Sequence, residues 1–138
     1  MANNNVFLAL DVGEKRIGVA IADSAVRIAI PHDTILVDGS EVEQIAQLIV
    51  QEKVAVVVVG YPRNQSGEPT AQTAYAESFA KQLEDIAPKI VFQDESLTSV
   101  KAEEYLVSQR RPYEKGDIDA MAASIILQDY LEDMYGRF

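Results

Sequence analysis

Short apolar runs separated by polar turn segments occupy the first part of the chain and predict strands. Residues 6–10 and 17–22 are apolar, and the polar segment between them contains Gly13, a pattern typical of an antiparallel strand pair. Residues 27–31 and 33–37 predict a third strand. Because Pro31 has no amide hydrogen to donate, we expect this strand to be short, bent and at an edge of the sheet.

The rest of the chain alternates between helical and strand patterns. Ser40 followed by Glu43 is a capping-box pattern, and the apolar residues after it recur at helical spacing, which predicts a helix over residues 41–52. Residues 54–59 are a continuous β-branched run, typical of a central strand covered on both faces. The remaining predicted elements are a helix over 70–86 with Ala74, Phe79 and Leu83 directed inward, a strand over 89–93, and helices over 97–107 and 117–134.

This order of elements predicts one α/β domain over residues 1–138. A three-stranded antiparallel meander, followed by parallel strands that crossover helices connect, forms a mixed five-stranded sheet with helices on both faces. Right-handed crossovers place the first strand beside the 54–59 strand, in the middle of the sheet. The carboxyl ends of the first strand and of the later strands then meet at one edge.

Three acidic residues occur where this fold would bring them to that edge. Asp11 ends the first strand, and Glu95 follows Asp94 at the end of the last strand, where open α/β sheets form ligand crevices. Asp119 lies in the first turn of the last helix, on a mostly apolar stripe that is directed toward the fold. We expect Asp117 to be the N-cap of that helix. Taken singly, each acid also fits an ordinary turn or helix-end charge.

The convergence of Asp11, Glu95 and Asp119 predicts a metal site. Carboxylates held close together repel one another unless cations lie among them. Ligation by oxygen alone suits Mg²⁺ or Mn²⁺, with water or a substrate phosphate completing the coordination shell. A pair of such ions activates a water molecule and stabilises the leaving oxygen of a phosphodiester, so the pattern favours phosphodiester hydrolysis.

Composition limits the classes of partner and chemistry. The net charge of −10 argues against a broad nucleic-acid-binding surface, although divalent cations or local basic residues can still bind phosphate. The chain has no cysteine, which excludes disulfides, zinc–thiolate sites and thiol nucleophiles. Neither a signal peptide nor an apolar run of the roughly 18 residues that span a membrane is apparent. We therefore expect a cytoplasmic protein.

Four motifs resemble those of the YqgF/RuvX family, whose members are named as Holliday junction resolvases and as nucleases that process pre-16S ribosomal RNA. The motifs are DVGEKRIGVA at 11–20, VGYPRN at 59–64, DESLTS at 94–99 and KGDIDAMAA at 115–123, and the resemblance extends over residues 6–131. It implies a ribonuclease H-like fold with catalytic, metal-binding acids at Asp11, Glu95 and Asp119. One departure is Ser96, where the family commonly has arginine.

Basic and amide side chains near these acids are candidates for binding a nucleic acid, with RNA favoured over DNA on the strength of the resemblance. The candidates are Lys15, Arg63, Asn64, Arg110, Arg111 and Lys115. Solvated charge is the alternative interpretation for Lys15 and for the basic run of Arg110, Arg111 and Lys115, and it is the preferred one for Arg16.

Three other functions fit parts of the sequence. Resolution of a DNA Holliday junction uses the same acids but requires a homodimer, whereas an RNA-processing enzyme can act as a monomer. A non-catalytic module that binds RNA or ribosome precursors fits the acidic charge and the missing arginine beside Glu95. Actin-like ATPases and sugar kinases also begin with an Asp-x-Gly hairpin, but they require two such domains, and this chain supplies one.

Overall fold

The computed structural model describes residues 5–62, 68, 70–94 and 115–136 of the chain. The strands are β1 Val6–Val12, β2 Arg16–Asp23, β3 Ile30–Leu36, β4 Val54–Tyr61 and β5 Ile90–Asp94. The helices are α1 Glu41–Gln51, α2 Ala71–Gln82 and α3 Lys115–Tyr135. The helix predicted over residues 97–107 lies outside the described ranges. No helix in the described part of the chain is long and apolar enough to cross a membrane.

The five strands form one mixed sheet in the order β3-β2-β1-β4-β5. β1 pairs antiparallel with β2, and β2 pairs antiparallel with β3, so the first three strands are the predicted meander. β4 runs parallel to both β1 and β5, which confirms the predicted position of the first strand beside β4. The carboxyl ends of β1, β4 and β5 therefore lie at the same edge of the sheet.

Side chains along β1 alternate between two hydrophobic layers. Leu8 and Leu10 are fully buried in the layer that contains Ile45 of α1 and Phe79 of α2. Phe7 and Ala9 point to the opposite face and belong to the layer formed with α3. The helices thus cover both faces of the sheet, and the predicted α/β class is confirmed.

Helix α3 packs closely on β2 because residues 18, 20 and 22 of that strand, which face the helix, are small. Gly18, Ala20 and Ala22 share one face of β2, and the two alanines lie in the layer formed with α3. A Cβ atom placed on Gly18 would lie 1.9 Å from the carbonyl oxygen of Asp119 and 3.0 Å from the amide nitrogen of Ala120. Glycine is therefore required at position 18, because the backbone of α3 occupies the space of a side chain.

Strand β3 lies at the edge of the sheet and carries a bulge, as predicted from Pro31, but the prediction that it is short is wrong, since at 7 residues it is as long as β1. Its register against β2 shifts where Val19 pairs with Asp33 and Ala20 pairs with Pro31. His32 is the extra residue of this bulge, and the bulge lets proline belong to an edge strand without interrupting a central ladder.

The capping box predicted at Ser40 is wrong. The Ser40 side chain makes no capping hydrogen bond to α1, and its hydroxyl instead donates to the Asp38 carboxylate at 2.6 Å. The Ser40 amide also donates to Asp38, and these two hydrogen bonds hold the pKa of the exposed Asp38 below its ordinary value. The Ser40 hydroxyl thus forms its hydrogen bond with Asp38 instead of with the first turn of α1.

Helix α2 begins with a capping box that the sequence prediction did not identify. The Thr70 hydroxyl accepts a hydrogen bond from the Thr73 amide, and the Thr73 hydroxyl accepts one from the Thr70 amide at 2.9 Å. Phe79 and Leu83 are buried as predicted. The inward direction predicted for Ala74 is wrong, since that residue is exposed.

Helix α3 begins at Lys115, two residues before its predicted start. Asp117 consequently lies within the first turn and is exposed, so its predicted role as N-cap is wrong. The predicted inward stripe is confirmed, because Ala122, Ala123 and Ile126 are fully buried.

Replacing Gly18 with alanine should destabilise the protein by about 2–3 kcal/mol, since α3 must move away from β2 to accommodate the methyl group. Gly39→Ala is a matched control. Gly39 has a φ of +102° with nothing within 4 Å of an added Cβ, so its replacement adds backbone strain of about 1 kcal/mol without overlap. Urea denaturation of both variants measures the difference, and equal losses would contradict the close approach of α3.

Candidate active site

Asp11 and Asp119 come to the same face of the sheet at the edge where β1 ends. Asp11 is directly opposite Gly18 in the β1–β2 pairing, so its side chain and the missing side chain of Gly18 belong to one face. The carbonyl group of Asp119 occupies the space above Gly18 on that face. The structure therefore brings together two of the three acids that the sequence predicts, and both are partly buried.

Arg16 forms an ion pair with Asp119, which corrects the interpretation of this arginine as a solvated charge. Its Nε atom donates to Oδ2 of Asp119 at 2.6 Å, and the two side chains are 33% and 22% exposed. Arg16 is the first residue of β2 and lies two positions before Gly18, so both residues are on the strand face that carries α3. This alternation was the one signal in the sequence that Arg16 points toward the last helix.

The turn between β1 and β2 fixes the backbone beside this ion pair. The Gly13 amide donates to the Arg16 carbonyl at 3.0 Å, and a Cβ atom on Gly13 would lie 2.7 Å from that oxygen. The Gln72 side chain of α2 donates to the Val12 carbonyl at 3.1 Å and so connects the end of β1 to that helix. The carboxyl end of β1 is thus held from two sides.

An open crevice of about 360 Å³ lies beside Asp119 and the turn between β1 and β2. Its lining residues are Gly13, Glu14, Lys15, Arg16, Gln72 and Asp119. Lys15 is exposed and lines the same crevice, so one predicted phosphate contact shares it with Asp119. The crevice is open to solvent, as a site for an extended substrate requires.

The third predicted acid, Glu95, lies outside the described residues, and its neighbour Asp94 is the last residue of β5. Asp94 has the same strand parity as Ile90, which packs in the layer beneath α1 and α2, so Asp94 belongs to the face opposite Asp11. Within the described ranges, no three His, Cys, Asp or Glu side chains form a group able to hold a metal ion. Asp11 and Asp119 supply hard carboxylate oxygens, which fit Mg²⁺ or Mn²⁺.

Most of the predicted substrate contacts belong to parts of the chain that the structure does not describe. These are Arg63, Asn64, Arg110 and Arg111. Lys115 is the first residue of α3, and Asp119 is the fifth. The prediction that Asp119 lies in the first turn is therefore wrong, because the helix begins two residues earlier than predicted.

A larger cavity of about 700 Å³ lies between α2 and β5, and neither Asp11 nor Asp119 lines it. The rings of Tyr61 and Phe92 meet edge to face there at 5.2 Å, and the Tyr61 hydroxyl donates to Glu77. Size alone would select this cavity as the site, but Asp119 lines the smaller crevice, and Asp11 is opposite Gly18, which the Asp119 carbonyl contacts.

The ion pair between the Arg16 and Asp119 side chains should make a small contribution to the free energy of unfolding. A double-mutant cycle with Arg16→Gln, Asp119→Asn and the double variant should give a coupling free energy of about 0.5–1 kcal/mol, because both groups are partly exposed. Chemical denaturation in a chelator measures this energy, and a coupling of zero would contradict the pairing.

Comparison with known proteins places the chain among nucleases and resolvases. The sequence profile of the family described as "RuvX: Holliday junction resolvase" matches residues 5–133. A protein of Chloroflexus aurantiacus named "Putative pre-16S rRNA nuclease" is 44% identical, with 94% of this chain and 88% of the relative aligned. A Synechocystis protein of the same name is 39% identical over 96% of this chain and 90% of the relative.

Two solved structures with a similar fold are resolvases. The Thermus thermophilus RuvC structure in complex with a Holliday junction substrate matches 95% of this chain and 96% of its own, with a TM-score of 0.59 at 13% identity. The fowlpox virus resolvase in complex with Holliday junction DNA has a TM-score of 0.58 at 12% identity and covers 94% and 99% of the two chains. These likenesses confirm the ribonuclease H-like fold, and the sequence matches show that the chain belongs to the RuvX family.

Proposed function

We propose that this protein is a metal-dependent nuclease that hydrolyses phosphodiester bonds in precursors of 16S ribosomal RNA. The observation that carries the proposal is the pair of carboxylates at Asp11 and Asp119, which flank Gly18 on one face at the carboxyl edge of the sheet. Membership of the RuvX family and the names of its relatives support the same reaction. We take residues 1–138 as one nuclease domain.

Asp11, Glu95 and Asp119 are the proposed metal ligands and catalytic residues. Asp11 and Asp119 would hold Mg²⁺ or Mn²⁺ through carboxylate oxygens, the donor type that these ions prefer. When bound, the ion supplies an activated water and charge stabilisation for the leaving oxygen. Glu95 is preferred to Asp94 because Asp94 belongs to the opposite face of the sheet, in the layer with Ile90.

The fold positions these acids on rigid backbone. β1 carries Asp11 between two paired strands, and the Gln72 contact holds the end of that strand. The main chain of α3 is held against Gly18, so the backbone that carries the Asp119 carboxylate has a fixed position. A site built on a strand end and a packed helix keeps its ligands oriented before substrate binds.

RNA is the preferred substrate because the similar proteins of Chloroflexus and Synechocystis are named for pre-16S rRNA. The proposed phosphate contacts, which offset the net charge of −10, are Lys15, Arg63, Asn64, Arg110, Arg111 and Lys115.

Resolution of DNA junctions is the second candidate, supported by the family description and by the fold shared with junction resolvases. It requires a homodimer, whereas RNA processing allows a monomer. A cytoplasmic location remains a prediction.

Neutral replacement of any proposed ligand should abolish metal-dependent cleavage. Asp11→Asn, Glu95→Gln and Asp119→Asn should each lower the cleavage rate by about 100-fold or more, because charge stabilisation in the transition state is lost. Asp94→Asn is the matched control and should retain activity, since it removes a neighbouring charge on the other face. The assay follows cleavage with Mg²⁺ or Mn²⁺, and circular dichroism verifies folding. Full activity in any of the three variants would remove that residue from the site.

The same assay distinguishes the two substrates. A precursor fragment of ribosomal RNA and a four-way DNA junction are compared with wild type and Asp11→Asn, and we expect only the RNA to be cut by wild type. Cleavage of the junction alone would overturn the RNA assignment and favour resolution. Binding of RNA without cleavage by wild type, unchanged in Asp11→Asn, would favour a non-catalytic module.

The basic residues before α3 should affect affinity through phosphate contacts. In an Asp11→Asn background that prevents cleavage, Arg110→Gln with Arg111→Gln should lower RNA affinity and reduce the slope of log affinity against log salt by about 1 for each lost contact. Fluorescence anisotropy at several salt concentrations measures both. Lys89→Gln, an exposed charge at the other end of β5, is the control; an unchanged slope in the arginine variant would exclude phosphate contacts there.

A further inference from the structure

Arg16 forms an ion pair with Asp119, one of the two described acids of the proposed metal site. A guanidinium group is always charged in proteins, and the Nε atom of Arg16 is 2.6 Å from Oδ2 of Asp119. The two residues are 103 positions apart in sequence, so the fold, and not chain proximity, creates the pair. A metal ion that binds Asp119 must therefore share this carboxylate with Arg16.

The backbones of both partners are fixed independently of the ion pair. The Arg16 carbonyl accepts the Gly13 amide, and Arg16 pairs with Leu36 of β3 in the sheet. The main chain of Asp119 is packed against Gly18. Any change in the pairing is thus confined to two side chains, which are 33% and 22% exposed and have room to reorient.

We propose that Arg16 is a positioning residue that serves as an internal counter-ion for Asp119 and competes with the divalent cation for its carboxylate. The proposal rests on the metal site in the proposed function and extends it to the control of cation affinity. Without a cation, the guanidinium offsets the charge of Asp119 and holds its side chain at the crevice. With a cation, the two positive charges repel, so cation binding is weaker than the carboxylates alone would provide.

Removal of the Arg16 charge should therefore tighten cation binding. Mn²⁺ is titrated into the full-length protein, and free Mn²⁺ is measured by electron paramagnetic resonance, a readout independent of cleavage. Arg16→Gln should bind Mn²⁺ about tenfold more tightly than wild type, the size expected for removing a charge a few ångströms from a divalent ion. Arg16→Lys keeps the charge and should remain near the wild-type affinity.

Two further variants complete the test. Lys89→Gln removes one positive charge at the opposite end of the sheet and should leave Mn²⁺ affinity unchanged, which separates a local effect from net charge. Arg16→Thr is a second neutral variant with a side chain suited to a strand, and it replaces Arg16→Gln if the glutamine variant does not fold. Both neutral variants should show the same direction of change.

The outcomes separate this inference from the proposed function. Mn²⁺ affinity that is equal or lower in the neutral variants than in wild type would overturn competition by Arg16 while leaving the metal site intact. Absence of Mn²⁺ binding in wild type and in both neutral variants would overturn the metal site itself. Binding that appears only after the Arg16 charge is removed would support competition in its strongest form.

Discussion

The contact between the backbone of α3 and Gly18 of β2 determines the geometry of the candidate site. No side chain separates the two main chains, and the alanines that follow on β2 continue the same narrow interface. The close approach of α3 to β2 places Asp119 near Asp11, which is opposite Gly18 in the neighbouring strand. It also brings the carboxylate within reach of Arg16, two residues before the glycine. A bulkier residue at position 18 would move the helix and carry Asp119 away from both Asp11 and Arg16.

Much of the fold could be predicted because hydrophobic periodicity reports the two faces of each element. The β-branched run at 54–59 identified a central strand, and Pro31 identified an edge. Helix caps were predicted less well, because short polar side chains can form hydrogen bonds with several local partners. Ser40 has the residue type of a cap, yet its hydroxyl bonds to Asp38 two residues earlier. Asp117 also has a capping side chain, but α3 already begins at Lys115.

The position of a site residue could be predicted where it follows from the strand or helix to which that residue belongs. Asp11 ends a strand and Asp119 lies on an inward stripe, so both could be placed from local pattern and topology. Arg16 could not, because its partner lies on a distant element and no local pattern distinguishes a paired charge from a solvated one. Only the shared parity of Arg16 and Gly18 indicated the direction of the side chain, and it became informative once the helix above Gly18 was known. Long-range ion pairs depend on packing distances that a sequence pattern does not contain.

Asp119 contributes to the fold and to the proposed chemistry through different atoms. Its carbonyl group packs against Gly18, whereas its carboxylate meets Arg16 in the crevice. Every amino acid residue has the same backbone carbonyl group, so the contact with Gly18 survives substitution at position 119. The proposed metal ligation by the carboxylate does not. The evolutionary consequence is that a descendant of this protein can exchange the acid without rebuilding its core. Loss of catalysis and loss of folding are separate mutational events here, and a duplicated copy is free to keep the scaffold for binding alone.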